Sequence, residues 1–125
     1  MQFLHVALAV ALLGQSGAGQ SGRDVTLLLP HPPAHGETAW ITIRVGAIGH
    51  ARLQVTTSDG RDLGIISPYG VKAGTESGTY NLPVPAEAAS NGRLTVRLTM
   101  LEGTARRAPT TQEVISVKAV LRTVP

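Results

Sequence analysis

Strict alternation of apolar and polar residues constrains this chain more than any other feature. Residues 92–101 read GRLTVRLTML, in which every second residue is apolar: Leu94, Val96, Leu98 and Met100. A period of two places these side chains on one face of a β-strand and the Arg and Thr side chains on the other. An Asn-Gly turn signal precedes the stretch. Residues 92–101 therefore predict a central strand with Leu98 in the core and Thr99 on an exposed face.

The same alternation recurs in six further segments, which turn and loop residues separate. They are residues 24–29, 37–45, 50–57, 63–67, 78–85 and 112–123. No segment has the 3.6-residue period of a helix of useful length. Seven strands spaced about every ten to fifteen residues are typical of paired antiparallel sheets. The sequence therefore predicts an all-β fold, an antiparallel seven-stranded β-sandwich of immunoglobulin-like or jelly-roll-like type.

Glycine and proline positions predict the connections between the strands. The Asp59-Gly60 pair predicts a type I′ hairpin turn, because Asp and Gly suit positive φ at both central positions. Two prolines in residues 78–85 restrict that strand to a sheet edge, since proline cannot donate to a ladder. We expect residues 68–78 to form a loop and residues 85–90 to form one helical turn. Residues 102–111 are expected to form a long, mobile connection.

Two short motifs add a resemblance to a known class of domain. The stretch TTSDGR at residues 56–61 and the stretch GTY at residues 78–80 resemble a hairpin turn and a late-strand tyrosine of bacterial immunoglobulin-like modules. The resemblance covers the chain after its N-terminal segment. It implies a sandwich architecture and no particular function.

The N-terminus predicts an export signal. Residues 3–13 are nearly all apolar, and small and polar residues follow. Eleven residues form about 16 Å of helix, which is too short for a hydrocarbon core of about 30 Å. The pattern is typical of a secretory signal peptide cleaved after Ala18, although no Lys or Arg precedes the apolar run. The alternative is a buried apolar first strand.

This pattern divides the chain into two parts. We expect residues 1–22 to be a signal peptide and cleavage region, and residues 23–125 to be the β-sandwich domain. The location that follows is secreted or periplasmic. Residues 17–22 also match the spacing G-x-G-x-x-G, but a strand pattern follows where a dinucleotide-binding motif needs a helix. We interpret these glycines as small residues around the cleavage position.

Composition and motif content argue against catalysis and cofactors. The chain has no cysteine, which excludes disulfides, thiolate metal sites and a cysteine nucleophile. Neither G-x-S-x-G nor H-E-x-x-H occurs. His31 and His35 flank Pro32-Pro33, and a polyproline-like segment places them roughly 12 Å apart. We expect no enzyme, no cofactor and no metal, with a periplasmic metal-binding protein as a remote alternative.

The charge distribution suggests what the domain binds. A net charge of +3 is a mild basic excess, well short of what nucleic-acid binding requires. Four residues alternate outward on their strands and are candidates for a ligand- or anion-binding surface: Trp40, Arg44, Arg52 and Arg97. The three arginines form a shared basic patch if their strands lie in one sheet. Trp40 either adds a stacking surface or packs against the sandwich.

Two functional hypotheses follow from these observations. The first is an exported, non-enzymatic β-sandwich module of the cell envelope that acts in binding or structure, with an envelope protein as partner. The second is a module that binds an acidic glycan or another polyanion through an arginine-lined sheet face. The salt dependence of binding distinguishes the two hypotheses, because a higher ionic strength weakens polyanion binding more than it weakens most protein–protein contacts. Neither hypothesis includes nucleic acid or a stable membrane span after cleavage.

Overall fold

The computed structural model describes residues 7–9, 11–13, 22–68 and 74–123, and these form an all-β fold. The strands are β1 (Ala7–Ala9), β2 (Ala11–Leu13), β3 (Arg23–Leu28), β4 (Glu37–Val45), β5 (Arg52–Thr57), β6 (Asp62–Ile66), β7 (Gly78–Val84), β8 (Arg93–Glu102), β9 (Ala105–Arg107) and β10 (Val114–Thr123). A 3₁₀ turn covers Ala86–Ala89, inside the segment predicted as one helical turn. Each of the seven segments predicted as a strand matches an observed strand to within two residues at either end. The short strands β1, β2 and β9 were not among the seven, so the described residues form ten strands. Among these described residues no helix is long and apolar enough to cross a membrane.

The strands form two antiparallel sheets. The four-stranded sheet has the order β1-β10-β4-β7. The six-stranded sheet has the order β2-β3-β8-β5-β6, with β9 paired to the end of β8. As predicted, β8 is central, because β3 and β5 flank it, and the proline-containing β7 is an edge strand.

The core lies between the two sheets and consists of the inward residues that alternation predicts. From β8 these are Leu94, Val96, Leu98 and Met100, and from β4 they are Ala39, Ile41, Ile43 and Val45, all of them buried. Leucine, valine and alanine side chains from β3, β5 and β10 belong to the same continuous cluster. Burial of apolar surface from both sheets therefore holds the sandwich together.

Thr99 departs from the predicted exposed face. It points outward on β8, yet only 5% of it is exposed. Gly22 lies so close that a Cβ added there would come within 2.8 Å of Thr99 Oγ1. A segment about eighty residues earlier in the chain thus covers this hydroxyl. Alternation along β8 carries no information about that cover, because it is local to one strand.

The β5–β6 hairpin has a different turn from the predicted type I′. Within it only Gly60 has positive φ, at 95°, whereas a type I′ turn needs two such residues. Thr57 N donates to the Arg61 carbonyl at 2.8 Å, and Gly60 N donates to the Thr57 carbonyl at 3.0 Å. This pattern fits a three-residue loop with glycine in the left-handed position. The hairpin prediction is confirmed, and its turn type is wrong.

The connection after β8, predicted as mobile, carries regular structure and a network of ion pairs. β9 pairs with the end of β8. Arg107 donates to both carboxylate oxygens of Glu113, at 2.8 and 2.7 Å, and to Glu102 at 3.3 Å. Thr110 N donates to the same Glu113 carboxylate at 2.9 Å. These bonds lower the pKa of Glu113 to about 2, and the Arg107–Glu113 pair fixes the segment against the sandwich.

The segment predicted as a signal peptide contributes backbone pairing to both sheets. Ala7–Ala9 pairs with Ala119–Leu121 of β10, and Ala11–Leu13 pairs with Val25–Leu27 of β3. The cleavage position after Ala18 lies outside the described residues, as do residues 17–21 of the glycine motif and residues 69–73 of the predicted loop. Removal of the signal peptide therefore stays a prediction.

Candidate functional site

The four candidate binding residues lie on two opposite outer faces of the sandwich. Trp40 and Arg44 belong to β4 in the four-stranded sheet, whereas Arg52 and Arg97 belong to β5 and β8 in the six-stranded sheet. The outer faces of two stacked sheets point in opposite directions. The premise that all three arginines share one basic patch is therefore wrong. Alternation assigns each residue to a face of its own strand, but it does not assign the strand to a sheet.

Arginine residues nevertheless gather on the outer face of the six-stranded sheet. Leu101 of β8 pairs with Arg52 on one side and with Arg106 of β9 on the other. Directly opposite residues have Cβ atoms about 5 Å apart, so these three side chains form a row across three strands. Leu101 points outward and is only 9% exposed, as expected where arginine stems lie along it. We call the outer surface around Arg52, Arg93, Arg97 and Arg106 the arginine face.

Most of the positive charge on the arginine face has no acidic partner. In the described part of the chain, no ion pair involves Arg52, Arg93 or Arg106, and all three are exposed. Arg106 Nη1 donates to the neutral Gln54 Oε1 at 3.3 Å. This bond orients the guanidinium above the sheet without neutralising it. The row formed by Arg52, Leu101 and Arg106 therefore presents two available cations.

Arg97 has a different role on the same face. It lies opposite Asp24 of β3 and donates to both carboxylate oxygens, at 2.8 and 3.3 Å. The hydrogen bond to Asp24 raises the pKa of Arg97 above its ordinary value. A bidentate pair of this kind joins β3 to β8 and compensates the charge of Arg97. Of the predicted arginines on this sheet, Arg52 is thus the one that remains available to an anion.

On the opposite face, Trp40 and Arg44 interact with neighbours in the chain. The Arg122 guanidinium carbon lies 5.4 Å from the centroid of the half-buried Trp40 ring, which is a cation–π contact. Arg44 donates to both oxygens of Glu76 at 2.8 and 2.9 Å. This pairing raises the pKa of Arg44 and lowers that of Glu76. Both predicted residues therefore have intramolecular partners.

Two arginines of the arginine face did not appear among the sequence candidates. Arg93 precedes Arg97 by four residues in β8, so alternation alone places both on one face. Arg106 lies in the connection predicted to be mobile. Its position opposite Leu101 depends on the register between β8 and β9, which no local pattern encodes.

The histidine pair has local contacts near the start of β4. His31 Nδ1 lies 2.8 Å from the Pro32 carbonyl oxygen and 3.6 Å from Glu37 Oε1. No group of three or more potential histidine, cysteine or carboxylate ligands gathers in the portion of the chain that the structure describes.

Comparison of the chain with known protein families, curated proteins and solved structures finds no match. Function is therefore inferred from the surface chemistry of the domain itself.

Proposed function

We propose that the chain is an exported, non-enzymatic binding module of the cell envelope that holds an acidic glycan on its arginine face. The observation that carries the proposal is the row of Arg52, Leu101 and Arg106, which offers two cations without acidic partners among the residues that the structure describes. Guanidinium groups bind carboxylates through paired hydrogen bonds, and their planar geometry favours this over a point-charge contact. An extended polymer can lie across the strands and reach both groups.

The chemistry of this face favours a carboxylated glycan over nucleic acid. Single-stranded nucleic acids need aromatic side chains on which bases stack. Trp40 and Tyr80 both belong to the four-stranded sheet, on the other side of the sandwich. The exposed Asp62 also belongs to the six-stranded sheet and repels a closely spaced phosphate backbone. A glycan with one carboxylate per unit and neutral hydroxyls between them suits this mixture of charges.

The test is retention of the full chain on immobilised polygalacturonate, with a neutral dextran matrix as reference. We expect retention at low salt that is lost as ionic strength rises, because exposed charge pairs are screened. The double variant Arg52→Gln/Arg106→Gln should elute without retention. The matched control Lys118→Gln/Arg122→Gln removes the same charge from exposed positions of the four-stranded sheet and should be retained like the parent. Equal losses in both variants would show that net charge alone is responsible and would refute the proposal.

A further inference from the structure

A polar cleft lies at the end of the six-stranded sheet where β5 stops before β8 does. The last residue of β5, Thr57, pairs with Val96, whereas β8 begins three residues earlier at Arg93. Residues 93–95 consequently have β3 on one side and no strand on the other. The space left beside them is a cleft of about 330 Å³. This volume is at the small end of the range for ligand sites, which favours a ligand the size of one sugar unit.

Two connections form the walls of the cleft. One wall is the β5–β6 turn, in which Ser58 N donates to the Thr95 carbonyl at 3.1 Å and so attaches the turn to β8. The other wall is the 3₁₀ turn with the Ser90-Asn91 pair that follows it. Arg61 Nη1 donates to Glu87 Oε2 at 3.2 Å, and this exposed ion pair joins the two walls.

Both carboxylates of the cleft and the Asn91 side-chain oxygen accept hydrogen bonds from the chain, whereas several side-chain donors form none among the described residues. The Asp59 carboxylate accepts a hydrogen bond from the Thr57 hydroxyl, which lowers the pKa of Asp59. Asn91 Oδ1 accepts from Arg93 N at 3.1 Å, which leaves the amide NH₂ of Asn91 as a donor. Within the described residues the Arg93 side chain forms no ion pair. The exposed hydroxyl of Ser90 completes a donor-rich lining.

We propose that this cleft binds one uronate unit, with its carboxylate on Arg93 and its hydroxyls on Asn91 and Ser90. The inference rests on the proposed function, because Arg93 belongs to the arginine face and the cleft would be its terminal subsite. A monoanionic carboxylate matches one arginine, and ring hydroxyls match the amide and hydroxyl donors. The carboxylates of Asp59 and Glu87 disfavour a doubly charged phosphate in the same space. The ligand class is therefore a sugar acid, whether free or at the end of a polymer.

The experiment is titration of the full-length, isotope-labelled protein with galacturonate, galactose and inorganic phosphate, followed by two-dimensional NMR. Galacturonate should shift the backbone signals of the cleft walls, and galactose and phosphate should shift them at least tenfold more weakly at equal concentration. Arg93→Gln should raise the Kd for galacturonate at least tenfold. Glu87→Gln should lower that Kd, because it removes a like charge and releases Arg61. A cleft that merely collapses on mutation would weaken binding in both variants and refute the assignment.

Two further measurements separate this inference from the proposed function. The Arg52→Gln/Arg106→Gln variant lacks the central cations but keeps the cleft, so it should bind galacturonate with an unchanged Kd. Polymer retention without any galacturonate shift overturns the cleft assignment and leaves the arginine face standing. Galacturonate binding without polymer retention overturns the proposed function instead. Equal shifts from galactose and galacturonate would refute recognition of the carboxylate.

Discussion

Replacing Glu113 with glutamine tests the ion pair that fixes the connection between β8 and β10. The pKa of Glu113 falls from 4.5 to about 2, chiefly because Arg107 donates to both carboxylate oxygens. Each pKa unit corresponds to about 1.36 kcal/mol, so the whole displacement corresponds to about 3 kcal/mol of stability. The Arg107 side chain is 37% exposed, and solvent screening lowers the expected contribution to about 1–2 kcal/mol.

The pH dependence gives this prediction its sign. The folded-state pKa of Glu113 lies below its unfolded value, so the contribution is present above about pH 4.5 and is lost as the pH falls toward 2. Urea denaturation at pH 7 should show Glu113→Gln to be less stable than the parent by about 1–2 kcal/mol. Near pH 2 the two proteins should differ much less.

The matched control uses the other carboxylate that contacts Arg107. Glu102 is 60% exposed and lies 3.3 Å from Arg107 Nη2, so Glu102→Gln should cost less than about 1 kcal/mol at pH 7. The reasoning fails if Glu113→Gln costs the same at both pH values, since the loss would then be independent of the carboxylate charge. It also fails if Glu102→Gln costs as much as Glu113→Gln.

Three further predictions concern the core, a close backbone contact and the predicted signal peptide. Leu98→Ala should cost about 2–5 kcal/mol in urea denaturation, because it leaves a cavity in the buried cluster, and a loss under about 1 kcal/mol would refute the core assignment. Gly46→Ala should lower the melting temperature more than Gly49→Ala does, because a Cβ at Gly46 would overlap the Gln112 carbonyl. A Cβ at Gly49 would face open space, and only the positive φ of 61° would add strain there. An equal or smaller loss at Gly46 would contradict this contact. Intact-mass measurement of the exported protein should show loss of roughly the first 18–22 residues, and a chain still beginning at Met1 would disprove cleavage.

The strands and their inward faces were predictable because both depend on local patterns. In β4 and β8 the inward positions from Ala39 to Val45 and from Leu94 to Met100 are all apolar, and their burial decides which face of each strand points to the core. The edge position of β7 follows from Pro83 inside that strand, because proline lacks the backbone donor. These properties require no knowledge of which strands are neighbours.

The candidate site depended on long-range pairing and was therefore only partly predictable. Arg44 and Arg52 both lie on the outward face of their own strands, yet β4 and β5 belong to different sheets. Arg106 joins the arginine face only through the register between β8 and β9. The turn type at Asp59 also eluded local rules, because the Asp-Gly pair suits more than one hairpin geometry and Asp59 does not have positive φ. The identity and spacing of residues within one strand do not determine its sheet, its register with another strand or the type of the turn that follows it.

The segment predicted as a signal peptide covers one edge of each sheet, at β3 and at β10. Proteases cut accessible, flexible segments, whereas residues 7–9 pair with β10 and residues 11–13 pair with β3 in the folded chain. We therefore expect the predicted cleavage to precede this pairing. Loss of residues 1–22 would then leave β3 and β10 as uncovered edges of their sheets.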